Sequence, residues 1–255
     1  MLEIKDFTFS YGEENIFEDI SFSCNPGKIT SIIGTNGTGK TTLLKCIAGL
    51  IKVNKGDVIL DGVPRKQMRM ADFAAALGYL DQNNYCAAQL NVYEVILLGR
   101  LRKLSFRVTE EDTSRVEAVS HMLDIEKFLG RNIMELSGGQ RQMVFIAQTL
   151  VKEPGILILD EPTSALDINH QFKLMNLIKT LTIERNLTTL ITLHHLDLAA
   201  KYSDEVIVLN DRKIYARGNP ETVITGDMLR EVYEVEADIF KDGYGSIHAI
   251  PTKEL

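Results

Sequence analysis

The sequence predicts an α/β protein, a mostly parallel sheet flanked by helices with a helical segment inserted into it. Three observations carry this. KITSIIG (28–34) and ILILD (156–160) are continuous apolar runs, as expected of strands buried on both faces. Helical stretches such as KTTLLKCIAGL (40–50) and INHQFKLMNLIKTLTIER (168–185) alternate with such runs, which implies right-handed crossovers between parallel strands. From about Asn91 to Lys152 only helical patterns occur.

In chain order, LEIKDFTFSY (2–11) alternates apolar and polar residues at period two and reads as a half-buried strand, and FEDISFSC (17–24) does the same. The buried strand at 28–34 leads into the helix that begins near Lys40. The inserted segment holds three helical patterns, VYEVILLGRLRKL (92–104), EEDTSRVEAVSHMLD (110–124) and GGQRQMVFIAQTLVK (138–152). The strand ILILD follows, then a long helix, then two more strand patterns, TLITLHH (189–195) and DEVIVLND (204–211).

Composition narrows the function classes. The chain has 255 residues, 45% apolar and 25% charged, enough for one substantial core or two small ones. The net charge of −7 argues against a broad nucleic-acid footprint, which needs clustered Lys and Arg. Cys24, Cys46 and Cys86 are odd in number and far apart, which excludes a disulfide framework or a zinc site among them and fits a reducing, cytosolic compartment. The first residues lack the apolar centre of a signal peptide. No apolar run approaches the ~20 residues needed to span a bilayer, so action at a membrane would require a partner.

Two motifs carry chemistry. GTNGTGKTT, from Gly34 through Asn36, Gly37, Thr38, Gly39, Lys40 and Thr41 to Thr42, fits G-x-x-x-x-G-K-[ST] between a buried strand and a helix. Such a loop gathers backbone N–H groups at the positive end of a helix dipole, a cradle for phosphates. Lys40 can reach the β- and γ-phosphates and Thr41 can place a hydroxyl on Mg²⁺, so ATP and Mg²⁺ are the expected ligands. The second motif, ILILDEPTSALD (156–167), brings Asp160 and Glu161 to the tip of a buried strand, where open α/β sheets bind ligands. Successive strand residues face opposite ways, so the two carboxylates are expected to differ in role: Asp160 holds Mg²⁺ through water, and Glu161 orients or deprotonates the attacking water.

A third stretch, ELSGGQRQM (135–143), matches a capping box: Ser137 begins a helix, Gln140 closes the box, and Gly138 and Gly139 occupy the first turn. Glycine costs about 0.5–1 kcal/mol relative to alanine within a helix, so bare backbone there must serve something. A second anion-seeking helix end in a chain with one P-loop suggests a shared site, in which this stretch of one copy faces the nucleotide of another.

LSGGQRQ ahead of LILDEPTSALD and after GTNGTGKTT resembles the nucleotide-binding subunit of ABC transporters, over nearly the whole chain. The resemblance implies a P-loop NTPase (RecA-like) core with an N-terminal antiparallel β subdomain and an inserted α-helical subdomain. On it, residues 1–82 and 153–225 form the nucleotide-binding core, 83–152 the helical subdomain and 226–255 a short C-terminal extension. It implies a head-to-tail homodimer with ATP at the interface, Ser137, Gly138 and Gly139 touching the γ-phosphate of the other copy. Tyr11 resembles the aromatic residue that stacks on adenine. Gln82 resembles the loop glutamine that reaches Mg²⁺ and the attacking water. Asp167 resembles the residue of the loop that crosses the dimer interface. His194, 33 residues after Glu161, resembles the switch histidine that contacts the γ-phosphate and holds Glu161. The sequence departs from the family at residue 195, His in place of the common Asp, and at Thr35 and Asp81, where proline is frequent.

NVYEVILLGRLRKL (91–104), GNPETVITGDMLREVYEVEADIF (218–240) and IHAIP (247–251) resemble the ATPases of iron-siderophore, haem, cobalamin and related metal-chelate importers. The resemblance then implies separate integral membrane permease subunits contacted around residues 83–100, indirectly an extracytoplasmic substrate-binding protein, no nucleic acid, and a peripheral position on the cytoplasmic face of the cell membrane. The alternatives are a soluble ABC ATPase outside transport, for example in Fe–S cluster assembly, and the ATPase of another transporter class. Chromosome-type ATPases need a long coiled-coil insertion, for which MLDIEKFLGRNIMEL (122–136) is too short.

Overall fold

A computed structural model describes residues 1–82, 89–100, 107–243 and 247–255. The chain opens with β1 (Leu2–Tyr11) and β2 (Glu14–Cys24), an antiparallel hairpin. Its pattern is not a single period of two. Leu2 and Ile4 point inward, and so do Phe7 and Phe9. The phase changes at Asp6 in β1 and at Asp19 in β2, both with left-handed φ (51°). These bulges turn Phe7, Phe9, Ile20 and Phe22 back to the core, and the freed amides are taken up by hydroxyls: Asp6 N–H donates to Ser21 Oγ at 2.8 Å and Asp19 N–H to Thr8 Oγ1 at 3.1 Å.

The chain continues through β3 (Lys28–Ile33), α1 (Lys40–Ile47), β4 (Lys55–Leu60), β5 (Val63–Pro64), α2 (Met70–Ala76) and β6 (Leu77–Leu80). The two-residue Asp61–Gly62 turn between β4 and β5 has both residues at positive φ (48° and 81°), the hairpin geometry that an Asp-Gly pair favours. Next come α3 (Val92–Leu98), α4 (Glu110–Met122) and α5 (Gly138–Leu150). Among the described residues of 91–152 the only strand-like pairing is one bridge, Asn91 with Asn132. Part of the stretch 83–100 and the end of the 92–104 pattern, with Cys86, lie outside the described residues.

The second half runs β7 (Ile156–Asp160), α6 (Ile168–Glu184), β8 (Thr188–Thr192), α7 (Leu196–Tyr202), β9 (Glu205–Asn210), β10 (Lys213–Gly218), α8 (Pro220–Val223), α9 (Gly226–Tyr233), β11 (Val235–Lys241) and β12 (Ile247–Glu254). The strand expected through His195 stops at Thr192, and His195 becomes the N-cap of α7. β8 is buried along its full length, and a polar, exposed His194–His195 pair cannot continue such a strand.

The main sheet has the order β10-β9-β3-β8-β7-β6, parallel except for the β10–β9 edge. A second sheet, β2-β1-β4-β5, is antiparallel, and β11 pairs with β12 as a separate hairpin. The main sheet divides two cores. Ile32, Ile156, Ile158, Leu190 and Ile207 face α1 and the antiparallel sheet. Leu157, Leu159, Ile191, Val206 and Val208 face the residues of α3 to α7 and α9. Burial on both faces explains the unbroken apolar run of β7.

Candidate active site

Four adjacent parallel strands, in the order β3-β8-β7-β6, end on the same edge of the sheet, and each delivers one part of the site. β3 hands the chain to the glycine loop. A Cβ at Gly34 would lie 2.4 Å from the Leu209 carbonyl oxygen, so only glycine lets the chain pass β9 there. Gly39, the N-cap of α1, sits at φ 88°, and a Cβ on it would press to 2.7 Å from Ile16 Cγ2. Gly37 also has positive φ (83°) but faces open space.

α1 begins with no side-chain cap and no acidic residue in its first turn, which leaves its first N–H groups for an anion. Lys40 is buried, and its ammonium donates to the carbonyls of Gly34 and Thr35, 2.8 Å each. Burial lowers its pKa, opposed by the facing Glu161 and Asp160. Thr38 Oγ1 donates to the Thr35 carbonyl at 2.9 Å. Asn36 is exposed at the loop tip, and Thr41 and Thr42 are half-buried in the first turn of α1.

β7 ends at Asp160, fully buried. Its Oδ1 accepts from Thr192 Oγ1 at 2.7 Å, and the same hydroxyl accepts the Glu161 amide at 2.8 Å. Oδ2 is buried with no hydrogen-bond partner. Burial raises the Asp160 pKa above the ordinary carboxylate range, opposed by Thr192 and by Thr41 of α1. Thr192 is a functional neighbour that sequence reasoning missed, because a threonine in LITLHH looks like any β-branched strand residue.

Glu161 is not the next residue of a pleated strand. Its φ is 48°, so the left-handed turn, rather than strand alternation, separates it from Asp160. Its Oε2 accepts from Gln82 Nε2 at 2.6 Å, and its Oε1 lies 2.5 Å from His194 Nε2. Gln82 follows β6 and His194 follows β8, so the three expected catalytic residues meet around one carboxylate. His195 is exposed and makes no side-chain cap bond at α7. Asp81 pairs with Lys45 of α1 at 3.0 Å.

Tyr11 ends β1 and is 54% exposed as a residue, so it is not a core tyrosine. It stands edge-on to Phe9 at 4.7 Å, and Phe9 contacts Phe17, which packs beneath Gly39. Ser137 caps α5 with both bonds of the capping box in place: Gln140 N–H donates to Ser137 Oγ at 3.3 Å and Ser137 N–H to Gln140 Oε1 at 3.0 Å. A Cβ at Gly138 would meet nothing, whereas one at Gly139 would lie 3.2 Å from Leu166 Cδ2. Ser137 to Gln140 line a cleft of ≈ 740 Å³ with Asp167 and His170. Lys40, Asp160 and Glu161 do not line it, so within one chain the two phosphate-seeking helix ends do not share a pocket. Asp167 caps α6 and accepts from the His170 amide at 2.9 Å, which with the His170 ring holds its carboxyl below the usual range.

A glycine loop under a helix, with a buried carboxylate pair on the neighbouring strand end, defines a P-loop nucleoside-triphosphate hydrolase. The sequence profile of the ABC transporter family matches residues 17–164. A petrobactin import ATP-binding protein of Bacillus anthracis is 35% identical over 98% of this chain and 93% of its own length. A hemin import ATP-binding protein of Hahella chejuensis is 37% identical over 89% of this chain and 90% of its own. A dimeric ATP-binding cassette solved in a post-hydrolysis state with ADP and Pi superposes with a TM-score of 0.79 at 28% identity, covering 86% of this chain and 99% of that one. The chain belongs to the ABC transporter family, as one of its ATP-hydrolysing cassettes. Among the described residues no helix is long and apolar enough to cross a membrane.

Proposed function

We propose that this chain is the ATP-hydrolysing subunit of an importer for a metal chelate, such as an iron-siderophore, haem or cobalamin complex, working with separate membrane subunits. The hydrolytic reading is carried by one observation, the clasp of Glu161 between Gln82 and His194 beside the glycine loop. The cargo class is supported by the petrobactin and hemin import relatives.

In this reading the β- and γ-phosphates of ATP settle at the start of α1, and Lys40 exchanges the Gly34 and Thr35 carbonyls for phosphate oxygens. The donor set fits Mg²⁺ held jointly with nucleotide. Asp160 Oδ2 is a buried oxygen without a partner, Thr41 stands by the same carboxyl, and Gln82 reaches the same edge. Among the described residues no group of three or more His, Cys, Asp or Glu side chains could hold a metal alone. Bound there, the ion neutralises phosphate charge. Glu161 takes or orients the proton of the attacking water, and His194 keeps its carboxylate aimed. Tyr11 offers its exposed ring to adenine.

Ser137, Gly138 and Gly139 serve the γ-phosphate of a second copy, with the Asp167 loop across the interface. Loss of that phosphate removes their contacts and opens the dimer. Of residues 83–100, Gln89, Glu94 and Leu98 are exposed and available to a permease, whereas Arg100 is buried on Asp112 and is not. The permease would hold the chain on the cytoplasmic face of the membrane, with the extracytoplasmic substrate-binding protein acting through it.

The test is co-purification from native membranes in mild detergent, with Glu161→Gln and ATP present. A multi-span membrane protein is expected with the chain, and deletion of either should abolish uptake of the chelate. Recovery of soluble proteins alone would overturn the importer reading and favour a soluble ABC ATPase.

A further inference from the structure

Beneath α1 a second buried oxygen has no hydrogen-bond partner, the phenol of Tyr79. Its place follows from register. Tyr79 of β6 lies directly opposite Ile158 of β7, and Asp160 is two residues further along β7. With side chains alternating, Tyr79, Ile158 and Asp160 share one face of the sheet. That face packs on α1: Tyr79 lies against the cluster containing Ile158, Leu43, Leu44 and Ile47. Adjacent strands are about 4.8 Å apart and two residues rise about 6.6 Å, so the Tyr79 and Asp160 backbones are about 8 Å apart.

α1 closes the space from above. Thr41 and Lys45, one turn apart on it, stand by Asp160 and pair with Asp81, respectively. Burial raises the pKa of the phenol, and the charges of Asp81 and Asp160 add to it. Two buried oxygens without a hydrogen-bond partner, one on a hydroxyl that can donate and one on a carboxylate that can only accept, thus lie on the same side of the sheet beneath α1. Buried polar atoms so placed are met by an ordered water.

We propose that Tyr79 is a positioning residue for the ATPase reaction, its phenol holding a water against Asp160 Oδ2 that belongs to the hydration shell of the nucleotide-bound Mg²⁺. This rests on the reading of Asp160 as a water-mediated metal ligand. The hydroxyl donates to the water, the water donates to Oδ2, and the water's remaining lone pair faces the ion. Tyr79 thereby fixes where Asp160 meets the metal without touching nucleotide. The ring, packed on Leu43 and Ile47's side of the sheet, holds the hydroxyl in register with the P-loop helix.

Tyr79→Phe keeps the ring and removes only the hydroxyl. Binding of a fluorescent ATP analogue to the full chain is measured in EDTA and across a Mg²⁺ titration. A Mn²⁺ titration followed by electron paramagnetic resonance is run with ATP. Affinity in EDTA should stay within about 2-fold, while the Mg²⁺ and Mn²⁺ midpoints rise ~3- to 10-fold, the weight of one neutral hydrogen bond. The melting temperature without nucleotide should change little, since the hydroxyl has no hydrogen-bond partner within the chain. Unchanged midpoints, or an equal loss in EDTA, overturn the proposal. Asp160→Asn separates the two readings. If it abolishes the Mg²⁺ enhancement and Tyr79→Phe does not shift it, only the Tyr79 inference falls. If Asp160→Asn leaves the enhancement intact, the metal role of Asp160 falls with it.

Discussion

His194 Nε2 lies 2.5 Å from Glu161 Oε1, joining the loop after β8 to the residue after β7. The contact is made by His194 and not by its neighbour His195, which is exposed at the start of α7. His194→Ala should lower phosphate release ~10²-fold, in the range of a lost acid–base or positioning partner, while His195→Ala stays within about 2-fold. Equal effects of the two substitutions would remove the assignment.

Glu161→Gln keeps the shape and the bond to Gln82 Nε2 but removes the charge. Turnover should fall ~10²- to 10⁴-fold, and ATP-bound dimers should persist in size-exclusion chromatography with light scattering. Phosphate release within ~10-fold of the parent would mean that Glu161 does not act on the attacking water.

Gly138 has room for a side chain, since a Cβ would touch nothing within the chain. Gly138→Ala should therefore raise the stability of the isolated chain by about 0.5 kcal/mol in urea titrations. It should also lower ATP turnover, because in the proposed sandwich the methyl group would stand where the other copy's γ-phosphate approaches. An increase in both would show that the bare helix start serves no ligand.

Asp112 has its carboxyl lowered to about 2, first by the Thr109 hydroxyl and amide and then by Arg100. A depressed carboxylate pKa contributes stability above the unfolded value, and that contribution is lost as pH falls through the folded one. Thermal melts should therefore show a loss of stability between about pH 4 and 2 that Asp112→Asn flattens. Asp160 runs the other way. Its raised pKa makes the charged form a cost to the nucleotide-free fold, so Asp160→Asn should raise the melting temperature at pH 7 while abolishing Mg²⁺-dependent hydrolysis. A lower melting temperature would show the carboxylate to be structurally satisfied.

Local chemistry was legible in the sequence. The glycine loop is a contiguous run whose need for positive φ and close approach is written in residue type, and Gly34 and Gly39 meet it at Leu209 and Ile16. The capping box at Ser137 depends on residues three apart, and it formed as spaced. The apolar run of β7 declared burial on both faces. The bulges at Asp6 and Asp19 were not legible as a period, because a single residue out of phase looks like a lapse in alternation until the partner strand shows the same lapse.

The sequence by itself determined that the chain carries a phosphate loop, a carboxylate pair and a glycine-rich helix start, since each is encoded within a dozen residues. The tertiary structure alone decided how they combine. Gln82 and Glu161 are 79 residues apart and meet only because β6 and β7 are neighbours in the sheet. Thr192 serves both acids only because the β7–β8 register sets it opposite Asp160. The two unpartnered oxygens on Asp160 and Tyr79 lie on one face only because β6 and β7 are neighbours in register. No local pattern encodes these, because they depend on which distant strand lies alongside.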